Sequence, residues 1–305
     1  MNSGIYAGQG RKSNMTLKIV VDKEIEWLKF IVKTSSGTVE EYIQTPRLLW
    51  DPVAVDSLRN GPVIRECFGR ENNLIVYDNL KMIWNPIVWP PSIDALWFAK
   101  TLSEKGYVSD EGIRKILDLG CGTGFLGLYL GKKNRNIRGI TLIDIDFEAC
   151  HLTLKNSIVN KMNRKVGILC GNGYSPIREK KADIDLVICA PPYVPCPPDA
   201  ESRTTTAYSG TDLLEKSISQ GSNYTKELVI LHSNIAEFEV QKSLKTTGEK
   251  SEILASCKFP FRVPHVLTSK SWLEFLTKRR NLEDKEILGY RYWHELTIRR
   301  IIFDS

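Results

Sequence analysis

The stretch Ile116–Leu130, ILDLGCGTGFLGLYL, constrains the fold more than any other part of the chain. It begins apolar at Ile116 and Leu117, reaches a carboxylate at Asp118, and passes Gly120, Gly122 and Gly124. It then resumes an apolar helical spacing through Phe125, Leu126, Leu128 and Leu130. This order predicts a buried strand, a tight glycine loop and a helix. Glycine opens φ > 0 and leaves no Cβ between the backbone and a ligand.

The rest of the chain repeats the strand–helix alternation. Ile137–Ile143 predicts a second strand ending in Asp144-Ile145-Asp146. In dinucleotide-binding folds an acidic residue about 20 positions beyond the glycines accepts hydrogen bonds from ribose hydroxyls. Asp144 stands 26 residues after Asp118 (144 − 118), which suits that role. Asp146 reads as the cap of a helix over Phe147–Asn160, with apolar residues at Phe147, Leu154 and Ile158. Lys165–Cys170 predicts a third strand, and Gly171-Asn172-Gly173-Tyr174 the loop after it. Ile184–Cys189 predicts a fourth, continuously apolar as a parallel strand covered on both faces should be. It runs into Ala190-Pro191-Pro192-Tyr193-Val194-Pro195. Lys226–Leu231, Ile253–Pro264 and Tyr290–Phe303 complete the strands, with helices over Ala236–Leu244 and Ser271–Arg279. The order from residue 116 onward is that of a doubly wound α/β sheet.

The region before the glycine loop is less regular. Residues 1–15 are small and polar and read as a flexible tail. Residues 16–84 read as an N-terminal extension expected to shape the acceptor side, and 85–305 as the main domain. Within the extension, Lys18–Val32 holds a strand-like run and then a short amphipathic segment through Ile25, Leu28 and Ile31. Leu74–Ile83 reads as two short strands about an Asp78-Asn79 turn. In Asn85–Lys100 two prolines stop the preceding strand, and Ser92 can cap a helix carrying Ile93, Leu96 and Trp97.

The 305 residues are 42% hydrophobic and 26% charged, an ordinary globular balance. No apolar run approaches the ~18 residues needed to span a membrane, and no signal-peptide pattern opens the chain. The expected location is therefore the cytoplasm. Seven scattered cysteines form no C-x-x-C pair, which points to buried thiols and to no metal site. A net charge of +6 favours a polyanionic partner only mildly.

The string D-L-G-C-G-T-G, from Asp118 to Gly124, resembles the first motif of the class I S-adenosylmethionine-dependent methyltransferases. The segment D-L-V-I-C-A-P-P-Y-V-P resembles their fourth motif in the amino-group methyltransferases, including the HemK-like glutamine enzymes and those acting on rRNA, tRNA and DNA bases. Tyr208-Ser209-Gly210-Thr211-Asp212 is similar to the glycine-rich segment of the HemK-like group. The resemblance covers roughly residues 88 to 231. It implies a Rossmann-like, doubly wound, seven-stranded methyltransferase sheet with a small N-terminal extension. It implies S-adenosyl-L-methionine as cofactor, held by Asp118, Gly120, Cys121, Gly122, Thr123, Gly124, Asp144, Ile145, Asn172 and Gly173. Asn172 stands where the family often places an acidic residue on the adenine amine; a simple turn is the other reading. The segment before the first motif resembles one that lies over the methionine end of the cofactor, with plain helix packing as the other reading. Ala190, Pro191, Pro192 and Tyr193 stand at the positions of the catalytic tetrapeptide, the last three matching it. The implied partner is a macromolecular acceptor, protein or RNA, and the family leaves room for a small activator subunit.

One position departs from the pattern. The family's tetrapeptide opens with Asn or Asp, whose oxygen accepts from the target amine, and here Ala190 has no acceptor. Three readings follow: the Pro191 carbonyl and another residue hold the amine, the target is not an amine, or activity is lost. A small-molecule methyltransferase and a non-enzymatic cofactor-binding module therefore stand beside the macromolecular enzyme. A nicotinamide oxidoreductase fits less well, because no Pro-Pro-Tyr corner follows its loop. His265 and His294 sit among aromatics and read as structural. Arg299-Arg300 and Lys278-Arg279-Arg280 read as solvated strand and helix ends, with a phosphate-contacting patch as the other reading.

Overall fold

The computed structural model describes residues 16–21, 27–34, 37–44, 73–84, 88, 93–178, 184–198, 210–261, 263–287 and 290–303. Residues 1–15, Ser92, Tyr208 and Ser209 lie outside the described residues, as do the side chains of Tyr77, Trp84 and His265.

The central strand is β6 (Lys115–Leu119), which leads into the glycine loop. It pairs in parallel with β7 (Gly139–Asp144) on one side and β9 (Leu186–Cys189) on the other. Beyond β7 lies β8 (Val166–Cys170); beyond β9 lies β10 (Glu227–Ser233). The long β13 (Tyr290–Ile302) inserts antiparallel between β10 and β11 (Lys250–Pro260). The order is β11-β13-β10-β9-β6-β7-β8, and β12 (Glu283–Ile287) adds an eighth strand paired with β13. The seven expected strands are present; the eighth corrects the count. β12 reads EDKEI, and charges at an edge break the apolar alternation by which a strand is recognised.

Successive residues of the buried strands feed opposite faces. Ile116 and Ile188 enter one core; Leu117, Leu119, Val187 and Cys189 enter the other. The first core is covered by α1 (Ile93–Glu104) and α2 (Phe125–Lys133). The second is covered by α4 (Asp212–Gly221) and α5 (Glu237–Thr247) through Leu214, Ile218, Val240 and Leu244. Between β7 and β8 runs α3 (Phe147–Val159). After β11 come α6 (Pro264–Leu267) and α7 (Lys270–Arg279).

The extension is a sheet of its own, in the order β3-β2-β1-β4-β5. Its strands are β1 (Thr16–Val21), β2 (Trp27–Thr34), β3 (Gly37–Gln44), β4 (Asn73–Tyr77) and β5 (Leu80–Trp84). The region of Leu28 and Ile31, expected as part of an amphipathic segment, is strand β2 throughout its described length. Asp78 and Asn79 sit at φ 44° and 67°, both left-handed as the two-residue turn between β4 and β5 requires. Leu80 and Met82 of β5 are fully buried and share the first core with Leu96, Leu126 and Leu130.

Two further expectations change. Phe147, Leu154 and Ile158 of α3 are exposed, at 69%, 46% and 54%. The buried face of that helix is instead Ala149, Cys150, Leu152, Thr153, Asn156 and Ser157. Arg299 is not a solvated strand end: it is 7% exposed and its guanidinium donates to His232, Glu237 and Ser251. Burial together with the Arg299 charge lowers His232 to about 4, although Glu237 opposes the shift.

Candidate active site

In an open α/β sheet, ligands bind outside the carboxyl ends of the strands where the order reverses. Here that point lies between β6 and β9, because the chain winds from β6 toward β7 and β8 and later returns to start β9 on the other side. Leu119 and Cys189, the last residues of these strands, are register partners. The glycine loop and the Pro-Pro-Tyr segment therefore leave neighbouring strand ends at the reversal.

Backbone and buried side chains hold the loop. Gly120 and Cys121 N–H donate to the Ile143 carbonyl at 2.8 and 2.9 Å, and Gly124 N–H to Cys121 at 2.7 Å. Gly122 N–H donates to Asp144 Oδ2 at 2.7 Å, while Asp144 Oδ1 accepts from Asp146 N–H at 2.9 Å. Burial raises the Asp144 carboxyl despite these donors. Thr153 Oγ1 donates to the Gly122 carbonyl at 2.8 Å, and Asn156 Nδ2 to the Thr123 carbonyl at 2.9 Å. Asp118 is 1% exposed and accepts from Gly127 N–H at 2.8 Å, so it holds the first turn of α2. Desolvation lifts its carboxyl to about 7, against the pull of the Gly127 donor.

The loop's geometry leaves room for a ligand. Gly122 has φ +53°, and a Cβ there would meet nothing within 4 Å among the described residues. At Gly120, φ +72°, a Cβ would come within 2.6 Å of Leu213 Cδ2. Leu213, on the first turn of α4, also approaches Gly173. A glycine backbone open on one side and walled by an aliphatic side chain suits a nucleoside with a polar tail, and the residues present fit S-adenosylmethionine. Asn172 is exposed and its Oδ1 accepts from Lys216 Nζ at 3.3 Å. Ile145 is 62% exposed beside Asp144.

At the end of β9, Ala190 is half-buried, Pro191 buried, and Pro192 and Tyr193 half-buried. Val194 then pairs antiparallel with Gly210, whose N–H donates to the Val194 carbonyl at 2.7 Å. The Tyr193 hydroxyl donates to Asp94 Oδ2 at 2.8 Å, and its ring centroid lies 5.6 Å from that of His294. His294 is 3% exposed, bonded to Ser233 Oγ at 2.9 Å and edge-on to Phe261 at 5.3 Å. It is a wall behind Tyr193, as a structural histidine should be. Asp94, Thr153, Asn156 and Leu213 escaped the sequence reading. No local signal marked Asn156 and Thr153, because Phe147, Leu154 and Ile158 point to the opposite face of the helix as the inward one.

A cavity of about 610 Å³ opens at the other end of the sheet, lined by Tyr107, Glu227, Glu252 and Arg300. It lies at the start of β10, away from the strand reversal, and the Tyr107 hydroxyl and Arg300 share the Glu227 carboxylate there. Among the described residues no cluster of His, Cys, Asp and Glu could hold a metal ion, and no helix is long and apolar enough to cross a membrane.

The strand order with its reversed β13, the three-glycine loop and the Pro-Pro-Tyr corner define the Rossmann-like fold of the class I methyltransferases. Residues 97–206 match the family model of the methyltransferase small domain. A tRNA1(Val) (adenine(37)-N6)-methyltransferase from Enterobacter sp. is 28% identical over 82 residues, 27% of this chain and 34% of its own length. A release factor glutamine methyltransferase from Dictyoglomus turgidum is 30% identical over 90 residues, 30% of this chain and 32% of its own. The chain thus spans about a third of the length of these curated relatives. The solved N-terminal domain of human METTL16 with SAH aligns over 90% of this chain and 89% of that one, at 14% identity and a TM-score of 0.47.

Proposed function

We propose that the chain is an S-adenosylmethionine-dependent methyltransferase acting on an amide or amine nitrogen of a macromolecule, protein or RNA. The observation that carries this is the placement of the glycine loop and the Pro-Pro-Tyr segment on register-paired strand ends at the sheet's reversal. The cofactor would supply an electrophilic methyl group on its sulfonium. Gly120, Cys121, Gly122, Thr123 and Gly124 would let its backbone-facing side approach closely, and Gly173 and Leu213 would flank the nucleoside. Asp118 would act by fixing α2 beneath the loop rather than by open contact. Asp144 would offer its carboxylate to the ribose while steadying Gly122. Ile145 and Asn172, both exposed, would border the base.

Pro191 and Pro192 restrict the backbone after β9. Tyr193 would hold a planar acceptor against its ring, and the Pro191 carbonyl would accept from the nitrogen. The rate would then come chiefly from alignment of the nitrogen lone pair, which can be worth several orders of magnitude.

Within this reading, residues 85–305 form the catalytic domain and 16–84 an extension whose outer strands serve the acceptor side. A macromolecular acceptor of this kind would be met in the cytoplasm, and an activator subunit would be a further partner. One observation favours a second reading: Ala190 provides no side-chain acceptor, as expected of a cofactor-binding module without turnover. Calorimetric titration tests the cofactor assignment. S-adenosylhomocysteine should bind and NAD should not; the reverse would remove the proposal.

A further inference from the structure

Two asparagines one helical turn apart on α3 grip strand β5. Asn156 Oδ1 accepts from Ile83 N–H at 2.6 Å, and its Nδ2 donates to the Ile83 carbonyl at 3.0 Å. Asn160, the residue that ends α3, repeats the pattern on Lys81, accepting at 3.0 Å and donating at 2.5 Å. Four helical residues rise about 6 Å and two strand residues about 6.8 Å, so the side-chain amides match alternate residues of the strand. Each asparagine completes the hydrogen bonding of one β5 residue as a neighbouring strand would.

The two differ in their remaining contacts. Asn156 is fully buried, and its second amide proton reaches the Thr123 carbonyl at 2.9 Å. A single side chain therefore joins Ile83 of the extension to the middle of the glycine loop. Asn160 does not touch the loop; its amide also donates to the Asn156 carbonyl in its own helix at 2.9 Å, and its Oδ1 also accepts from Lys132 Nζ, in the last turn of α2, at 3.2 Å. A buried amide left half-bonded is costly, so the three groups favour being engaged together.

We infer that Asn156 is a positioning residue for the glycine loop, and that the hairpin of β4 and β5 sets the loop's conformation through it. This rests on the proposed cofactor site for its consequence but not for its geometry. The extension is then part of the cofactor machinery as well as of the acceptor side. By linkage, a ligand that orders the loop must also tighten the hairpin.

Hydrogen exchange on the full chain, without ligand, separates the two asparagines. Asn156→Ala should speed exchange about tenfold or more in peptides covering both 80–84 and 119–125, whereas Asn160→Ala should do so only in 80–84. Asn156→Asp, which keeps the acceptor for Ile83 and loses both donors, serves if the alanine variant folds poorly. S-adenosylhomocysteine should slow exchange at 80–84 in the parent protein and not in either Asn156 variant. Its affinity should fall about tenfold in Asn156→Ala and less than about twofold in Asn160→Ala. An unchanged loop in both Asn156 variants, or equal loop effects from both positions, would overturn the inference. If the parent protein bound no S-adenosylhomocysteine, the proposed function would fail while the ligand-free exchange still decided this point.

Discussion

The Tyr193 hydroxyl is held by Asp94 Oδ2 at 2.8 Å, a bond spanning 99 residues of sequence that ties the first turn of α1 to the corner after β9. The ring is thereby fixed in rotation as well as backed by His294. If Asp94 acts through that hydroxyl, Asp94→Ala and Tyr193→Phe should each slow methyl transfer by roughly tenfold, and the double variant should be no slower than either. Cofactor affinity should stay within about twofold in all three. Additive losses would mean that Asp94 meets the acceptor itself.

Asp118 gives the fold a pH dependence of defined sign. Its carboxyl titrates at about 7 in the folded protein, mainly because it is desolvated. An unfolded aspartate titrates near 3.9, so between these values the unfolded chain has already lost the proton that the folded one keeps. The contribution is fully present below about pH 4 and is lost as pH rises toward about 7. Urea unfolding at about pH 5 and about pH 8 should show the parent losing up to roughly 2.5 kcal/mol relative to Asp118→Asn. A difference that does not change with pH would show that Asp118 is ionised throughout.

Gly122 and Gly120 should respond differently to alanine. At Gly122 the added Cβ meets nothing within 4 Å among the described residues, so the stability cost is the left-handed backbone alone, about 1–2 kcal/mol. That Cβ would stand where the cofactor approaches, and affinity for S-adenosylhomocysteine should fall more than about tenfold. Gly120→Ala adds a collision with Leu213 Cδ2, the tip of a half-buried side chain that can turn aside, and should destabilise by no more than about 1 kcal/mol further. Unchanged binding in a folded Gly122→Ala protein would move the cofactor away from the loop.

Ala190 tests how the acceptor is held. Restoring an acceptor with Ala190→Asn should keep or raise turnover if the target is an amine, and a bond strengthened by ~1.4 kcal/mol in the transition state gives about tenfold. A fall in rate would mean that an oxygen, a sulfur or a bulkier group fills the space beside Ala190. Steady-state methyl transfer by the two proteins decides between them.

The glycine loop, the alternation of strands and helices from 116 onward and the Asp146 cap were legible because each rests on local residue types. Asp146 accepts from Glu148 N–H as a capping side chain does. The orientation of α3 was not legible. Its inner face has to approach β5 and the loop closely, so beside Leu152 it carries the smaller or polar Ala149, Thr153, Asn156 and Ser157, and Phe147, Leu154 and Ile158 are left outside. Arg299 misled for a similar reason: its buried partners His232 and Glu237 lie 67 and 62 residues away in sequence. Asp94 also depends on a distant partner. Residue type alone cannot show that a helix-start aspartate, which could equally face solvent, will bond a tyrosine 99 residues away.

The central claim is transfer of a methyl group from S-adenosylmethionine to a macromolecular nitrogen. Incubating the full chain with S-adenosyl-[methyl-³H]methionine and, separately, total RNA and total protein lacking this activity tests it directly. The account predicts label in one of the two fractions, released on digestion as an N-methylated base or N-methylglutamine, and lost with Tyr193→Ala. Binding of the cofactor with no label in either fraction, or label only in small molecules, would contradict it.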